Sequence, residues 1–209
     1  MSKRIALGQK LGLSRSHAAL LARLQTPEKI QDYVTALRNN AELEGDTCLS
    51  VSEVLRRQHA HCIEGAFVAA GALLLNGQAP LLMDMKAEGD DDHVVALFRH
   101  RGCWGAISKS NHIWLRWRDP IYKSLRELTM SYFHEYVVQS RKTLRSYSAA
   151  FDMRRLDPAL WLNNRGSCWE AAFALDGSRH YPLITEAQAR RLRPREKMEV
   201  HAGKLLEYP

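Results

Sequence analysis

Residues Ser50 to Pro80 read SVSEVLRRQHAHCIEGAFVAAGALLLNGQAP. Two helix starts and one helix stop lie in this run. Ser50 followed by Glu53 is a capping box, opening a helix expected to reach about His59. A second helix is expected from Cys62 to Leu75. Asn76-Gly77 then makes a left-handed stop, and Pro80 ends any helical option. A thiol therefore sits at the first turn of an apolar helix. Helix N-termini present unpaired N–H groups and the positive end of a dipole, which favour an anion there. The thiolate is the reactive form of cysteine, so the position suits a nucleophile. Taken alone, a cysteine on an apolar helix is more often a small buried hydrophobe.

Leu81, Leu82, Met83 and Met85 read as a buried strand, followed by a polar turn at Asp90, Asp91 and Asp92. Next comes DHVVALFRHRGCWGAIS, Asp92 to Ser108. His93 to Phe98 is strand-like, Arg101-Gly102 is a turn, and Trp104 to Ser108 returns as the second arm of a hairpin. His93 follows Cys62 by 31 residues, room for the helix, a loop and one strand. An imidazole beside the helix start would activate the thiol as an ion pair. The fold class read from this order is α+β, with N-terminal helices and an antiparallel sheet.

These two runs resemble the core of transglutaminase-like domains, in which a Cys-led helix is followed by a His-led strand and a Trp-containing return strand. The resemblance covers roughly Ser50 to Ser108. It implies a papain-like α+β core and a Cys–His–Asp triad, with Cys62 as nucleophile and His93 as base. The position of the Asp falls on Ser108, with Ser110 and Asn111 close by. Asn111 would orient the imidazole by its amide, and Ser108 by an uncharged hydrogen bond. Gln58 is a candidate oxyanion donor, and Trp104 a candidate wall of the cleft. Asp92 is adjacent to His93, yet neighbours on a strand face opposite ways. Glu64, two places into the helix, reads as a residue favoured by the dipole. His59 and His61 flank the thiol, but without an acidic ligand beside them they make a poor metal site. Neither cofactor nor metal is expected. The implied activity is attack on an amide or isopeptide bond of a protein or peptide, by hydrolysis or acyl transfer. The alternatives are an impaired relative kept as a protein-binding module and a basic nucleic-acid-binding protein.

The 209 residues divide into a helical segment 1–45, the Cys/His core 46–125 and an extension 126–209 of the same domain. Thr26-Pro27 starts an N-terminal helix, with Ile30, Tyr33, Val34 and Leu37 on one face, stopping near Asn39-Asn40. Asp119-Pro120 is expected to cap a helix carrying Ile121, Leu125, Leu128 and Tyr132. Strands are expected at Leu144 to Phe151, Trp169 to Leu175 and His180 to Ile184. Gly166-Ser167-Cys168-Trp169 resembles the nucleophile run of papain-like enzymes, but only His180 and His201 follow it, and too little chain remains for that fold. Net charge is +7, from 30 basic and 23 acidic residues, which suits an acidic partner. No block of like charge makes nucleic acid a strong reading. No apolar run is long enough to span a bilayer. The four cysteines contain no CxxC pair and read as free thiols of a cytoplasmic protein, Cys103 among them as a structural residue.

Overall fold

The computed structural model describes residues 2–43 and 45–208. Three helices open the chain: α1 (Lys3–Lys10), α2 (Arg15–Arg23) and α3 (Pro27–Ala36). Thr26 caps α3, its hydroxyl accepting from the Lys29 N–H. The helix stops at Ala36, short of the expected Asn39-Asn40, because Arg38–Asn39 pairs in parallel with His59–Ala60. Ser50 caps α4 (Val51–Arg57), and Gln58 ends it in the left-handed region with φ +59°.

Helix α5 (Cys62–Leu75) is the central element. All its residues except Cys62 and Leu74 are buried, as its all-round apolar character requires. Helices α1 to α4 pack around it, and strand His93–His100 underlies it.

The sheet contains β1 (Leu81–Ala87), β2 (His93–His100), β3 (Cys103–Ile107), β4 (Arg118–Tyr122), β5 (Leu144–Ser148), β6 (Phe151–Asp152) and β7 (His180–Pro182). Its order is β7-β5-β1-β2-β3-β4, with β6 also on β1, and every pairing is antiparallel. This is an α+β fold with a seven-stranded antiparallel sheet. The hairpin between β2 and β3 turns at Arg101 and Gly102, with φ +48° and +85°. Two successive residues in the left-handed region make the turn type that matches strand twist.

The sheet is buried on both faces. Leu82, Val94, Ala96, Phe98 and Ile107 point into the core beneath α5. Met83, Met85, Val95, Leu97 and Ala106 point the other way, onto α6 (Leu125–Met130) and Tyr132, Phe133 and Tyr136 after it. Two faces buried by opposite residues explain why β2 is apolar without alternation. No helix among the described residues is long and apolar enough to cross a membrane.

Two expected elements differ. Asp119-Pro120 lies within β4, not at a helix start; the helix begins at Leu125 under a Ser124 cap. Strand β4 is an edge, where proline is tolerated because no partner needs its N–H. Trp169–Asp176 is a helix, α7, and not a strand. Its Ala171 and Leu175 are buried at a spacing of four, while Phe173 faces solvent.

Candidate active site

Cys62 begins α5 at the base of a cleft of about 180 Å³ whose walls include His61, His93, Asp91, Lys109, His112 and Tyr136. Cys62 is partly exposed to that cleft, whereas Cys48 and Cys168 are buried. Burial raises the thiols of Cys48 and Cys168, the latter to about 12. Cys62 departs in the opposite direction. Burial alone would raise it, but hydrogen bonding and positive charge from His61 and His93 bring it down to about 5.

His93 is buried at the start of β2. Its Nε2 lies 3.1 Å from the Leu115 carbonyl and 2.7 Å from Ser108 Oγ. A carbonyl only accepts, so this contact places the proton on Nε2. Nδ1 is then the ring nitrogen left free to accept a proton. Ser108 is held in turn by Gln31 of α3. Gln31 Nε2 donates to the Ser108 carbonyl and its Oε1 accepts from the Ser108 N–H, both at 2.9 Å. The Tyr132 ring stands edge-on to the imidazole, 6.5 Å between centroids.

Close approach of these elements depends on Gly65. A Cβ there would stand 2.6 Å from Lys109 Cβ. The residue after Ser108 can therefore press on the first turn of α5.

His61 approaches Cys62 from the other side. Its Nδ1 is 3.9 Å from Sγ, a long contact. Its Nε2 lies 3.0 Å from the Thr47 carbonyl, 3.3 Å from Glu64 Oε1 and 3.6 Å from Glu42 Oε1. Burial would lower its pKa, but the Cys62 and Glu64 partners outweigh this and raise it to about 11. Glu64 has no exposed surface. Its carboxylate accepts from Asn40 Nδ2 at 3.0 Å, Thr47 Oγ1 at 2.8 Å, the Leu49 N–H at 2.9 Å and the His61 N–H at 3.0 Å. Burial would raise this carboxyl, yet His61 and these donors hold it at about 2. Cys62, His61 and Glu64 thus stand in series from the cleft to the buried carboxylate, with His61 between a thiol and a carboxyl whose pKa values are both lowered.

Cys62, His93 and Ser108 come together. Asn111 does not line the cleft: its Oδ1 accepts from the Tyr208 N–H and its Nδ2 donates to the Tyr208 carbonyl. Gln58 is also outside the cleft wall, donating from Nε2 to the Leu55 carbonyl and the Tyr33 hydroxyl. Trp104 packs at the second core under the Arg99 guanidinium, away from the cleft. Asp92 turns its carboxylate to the Ala87 N–H. The Gly166–Trp169 run holds a fully buried Cys168 whose raised thiol suits packing, not attack.

His61 and Gln31 are the residues that sequence reading passed over in these roles. For His61 a signal existed. Glutamate at the third position of a helix often reaches back to the cap residue, and Glu64 does so toward His61. For Gln31 none did, since its partner is 77 positions away.

Carboxylate oxygens of Asp84, Asp92 and Asp176 lie within 4.8 Å of one another, a spacing that would admit a cation. Protein side chains already engage two of these carboxylates. Lys86 Nζ is 2.5 Å from Asp176 and His180 Nε2 is 3.1 Å from Asp84.

No protein-family model matches the chain, and no curated protein matches it.

Proposed function

We propose that the protein is a cysteine-dependent acyl-transfer enzyme built on a transglutaminase-like core, acting on an amide or isopeptide bond of a protein or peptide. The observation that carries this reading is the placement of Cys62 at a helix start, with His61 Nδ1 3.9 Å from its Sγ and His93 lining the same cleft, an arrangement that brings the thiol down to about 5. Cys62 Sγ attacks the carbonyl carbon, and the carbonyl π electrons move onto oxygen. N–H groups of the first turn of α5, which lack intrahelical acceptors, receive that oxyanion. His93 Nδ1 holds the thiol proton and passes it to the departing amine. The C–N bond breaks and a thioester forms on Cys62. Water or a second amine then attacks the thioester carbonyl, His93 accepting its proton, and the C–S bond breaks to release the product and return the Cys62 thiolate. Hydrolysis and transfer differ only in this last nucleophile.

Ser108 cannot supply the carboxylate that the family places beside the histidine. Glu64 offers negative charge at a different point, through His61. His61, its pKa raised by Cys62 and Glu64, favours the thiolate, and Ser108 needs only to fix the tautomer of His93. This division of labour favours a working enzyme over an impaired binding module.

Incubation with p-nitrophenyl acetate tests the reading. The expected result is a burst of nitrophenol with an acetyl group on Cys62, identified by peptide mass spectrometry. Cys62→Ser should abolish the burst and His93→Ala should slow it. Acetylation spread over lysines, with no burst in the parent protein, would overturn it.

A further inference from the structure

The segment that follows Ser108 carries more polar equipment than a cleft wall needs. Lys109 is fully buried, and its Nζ donates to the carbonyls of Thr35, at 3.2 Å, and Leu37, at 2.5 Å. Burial lowers the pKa of this ammonium, while the Glu207 carboxylate, 4.0 Å away, works against that. Glu207 also pairs with Arg116. The Tyr208 ring lies under the Lys109 ammonium, 5.5 Å from Nζ to centroid. Asn111 reads the backbone of the same segment. Its side chain engages both the N–H and the carbonyl of Tyr208, at 2.8 and 2.9 Å. Its own carbonyl accepts from the Glu207 N–H at 3.2 Å. His112 and Leu206 form an antiparallel bridge.

We propose that residues 109–116 form a docking groove for an extended peptide with an acidic residue followed by an aromatic one, occupied in this chain by its own segment Leu206–Tyr208. Strand-like backbone pairing holds an extended peptide whatever its sequence, and side-chain contacts supply selectivity. Here Arg116 and Lys109 select the acid, and the Lys109 ammonium selects the aromatic face. With the segment seated Lys109 is fully buried, so its ammonium meets the Glu207 carboxylate and the Tyr208 ring out of contact with solvent. None of residues 204–208 belongs to either apolar cluster, so the occupant can leave without opening the core. Lys109, Ser110 and His112 also line the Cys62 cleft, so a peptide in the groove lies beside that cleft. The groove stands on its own contacts and does not depend on Cys62 being a nucleophile.

The test uses the full-length chain carrying Glu207→Ala and Tyr208→Ala, labelled for amide NMR and titrated with the synthetic peptide KLLEYP. A tethered segment has an effective concentration on the order of millimolar, so a docked one needs a free-peptide Kd of about that size or tighter. The amides of residues 109–116 should shift with that Kd. The parent chain should bind the peptide at least about ten-fold more weakly, because its own segment competes. KLLAAP should cause no shift. Absence of shifts up to about 10 mM, equal affinity for parent and variant, or equal binding of KLLAAP would each overturn the proposal. Hydrogen exchange on the unmodified parent gives a check free of any folding defect. The Glu207 and Tyr208 amides should be protected, and exchange at the rate of an unstructured peptide would overturn the groove.

Discussion

The Nε2 of His61 stands 3.3 Å from the Oε1 of a fully buried Glu64, three residues on across the first turn of α5. An isolated carboxylate at such depth is prohibitively costly, so the pair exists only as a unit. Glu64 raises the pKa of His61 and so favours a positive charge beside Cys62, whose Sγ lies 3.9 Å from the other nitrogen of the same ring. The candidate nucleophile is therefore tied to an interaction that also holds the fold together.

Glu64→Gln should reveal that double role. The variant keeps the shape but removes the charge, leaving His61 and the donor groups around it unmatched. A loss of about 3 kcal/mol in unfolding free energy is expected, by analogy with breaking a buried ion pair. Denaturant titration measures it, and a loss below about 1 kcal/mol would mean that the pair contributes little. The pH dependence has a definite sign. The carboxyl is held at about 2 in the folded chain against an ordinary 4.5. Its contribution is thus complete above 4.5 and is lost as pH falls toward 2. Parent and variant stabilities should converge through that acid window.

Gln31 is expected to act on His93 through Ser108. Gln31→Leu removes both hydrogen bonds to the Ser108 backbone, leaving a buried N–H and carbonyl unpaired at a cost of about 1–3 kcal/mol. Turnover should fall, because Ser108 Oγ and the proton position on His93 lose their frame. Thiol reactivity should fall less, because His61 and Glu64 are untouched. Equal losses in both measurements would argue for general loosening of the fold.

Asn111→Ala separates the cleft from the C-terminal segment. Its side chain bonds only Tyr208 backbone groups. The rate of Cys62 alkylation should stay within about two-fold of the parent, while amide exchange at Tyr208 should speed up as about two hydrogen bonds are lost. A large drop in alkylation would place Asn111 in the thiol's machinery instead.

Gly65→Ala should be costly despite the higher helix propensity of alanine. The added Cβ would meet Lys109 Cβ at 2.6 Å, forcing apart α5 and the segment after β3. Overpacking of this kind costs about 1–3 kcal/mol. A lower Tm with slower Cys62 alkylation is expected; a stabilised, fully reactive variant would show that the approach is not needed.

Much of this arrangement was legible because it is written in local chemistry. The capped apolar helix, the Asn76-Gly77 stop and the Arg101-Gly102 hairpin each depend on residues within one turn or one strand. They place Cys62 and His93 at the ends of neighbouring elements, which is why a thiol–imidazole site can be read from sequence. The misread elements fail where tertiary pairing decides. Asp119-Pro120 has the chemistry of a helix cap, yet Arg118 pairs with Ala106 and draws the segment into the sheet edge. Residues 169–176 contain apolar positions compatible with either period, and the Cys168 N–H bond to the Cys48 carbonyl fixes where that segment begins. His61 was visible as a neighbour of Cys62, but its raised pKa depends on Glu64, whose carboxylate Asn40 and Thr47 hold from two other segments.

The most direct test of the central claim is the rate of Cys62 alkylation by iodoacetamide against pH, read by peptide mass spectrometry. Thiolate alone reacts, so the rate follows its titration. A midpoint near 5 is expected for Cys62 in the parent, with Cys48 and Cys168 silent while the chain is folded. His61→Ala and His93→Ala should each move the midpoint upward, since each removes a group that favours the thiolate. A parent midpoint in the ordinary thiol range of about 8.5, unmoved by either substitution, would contradict the account.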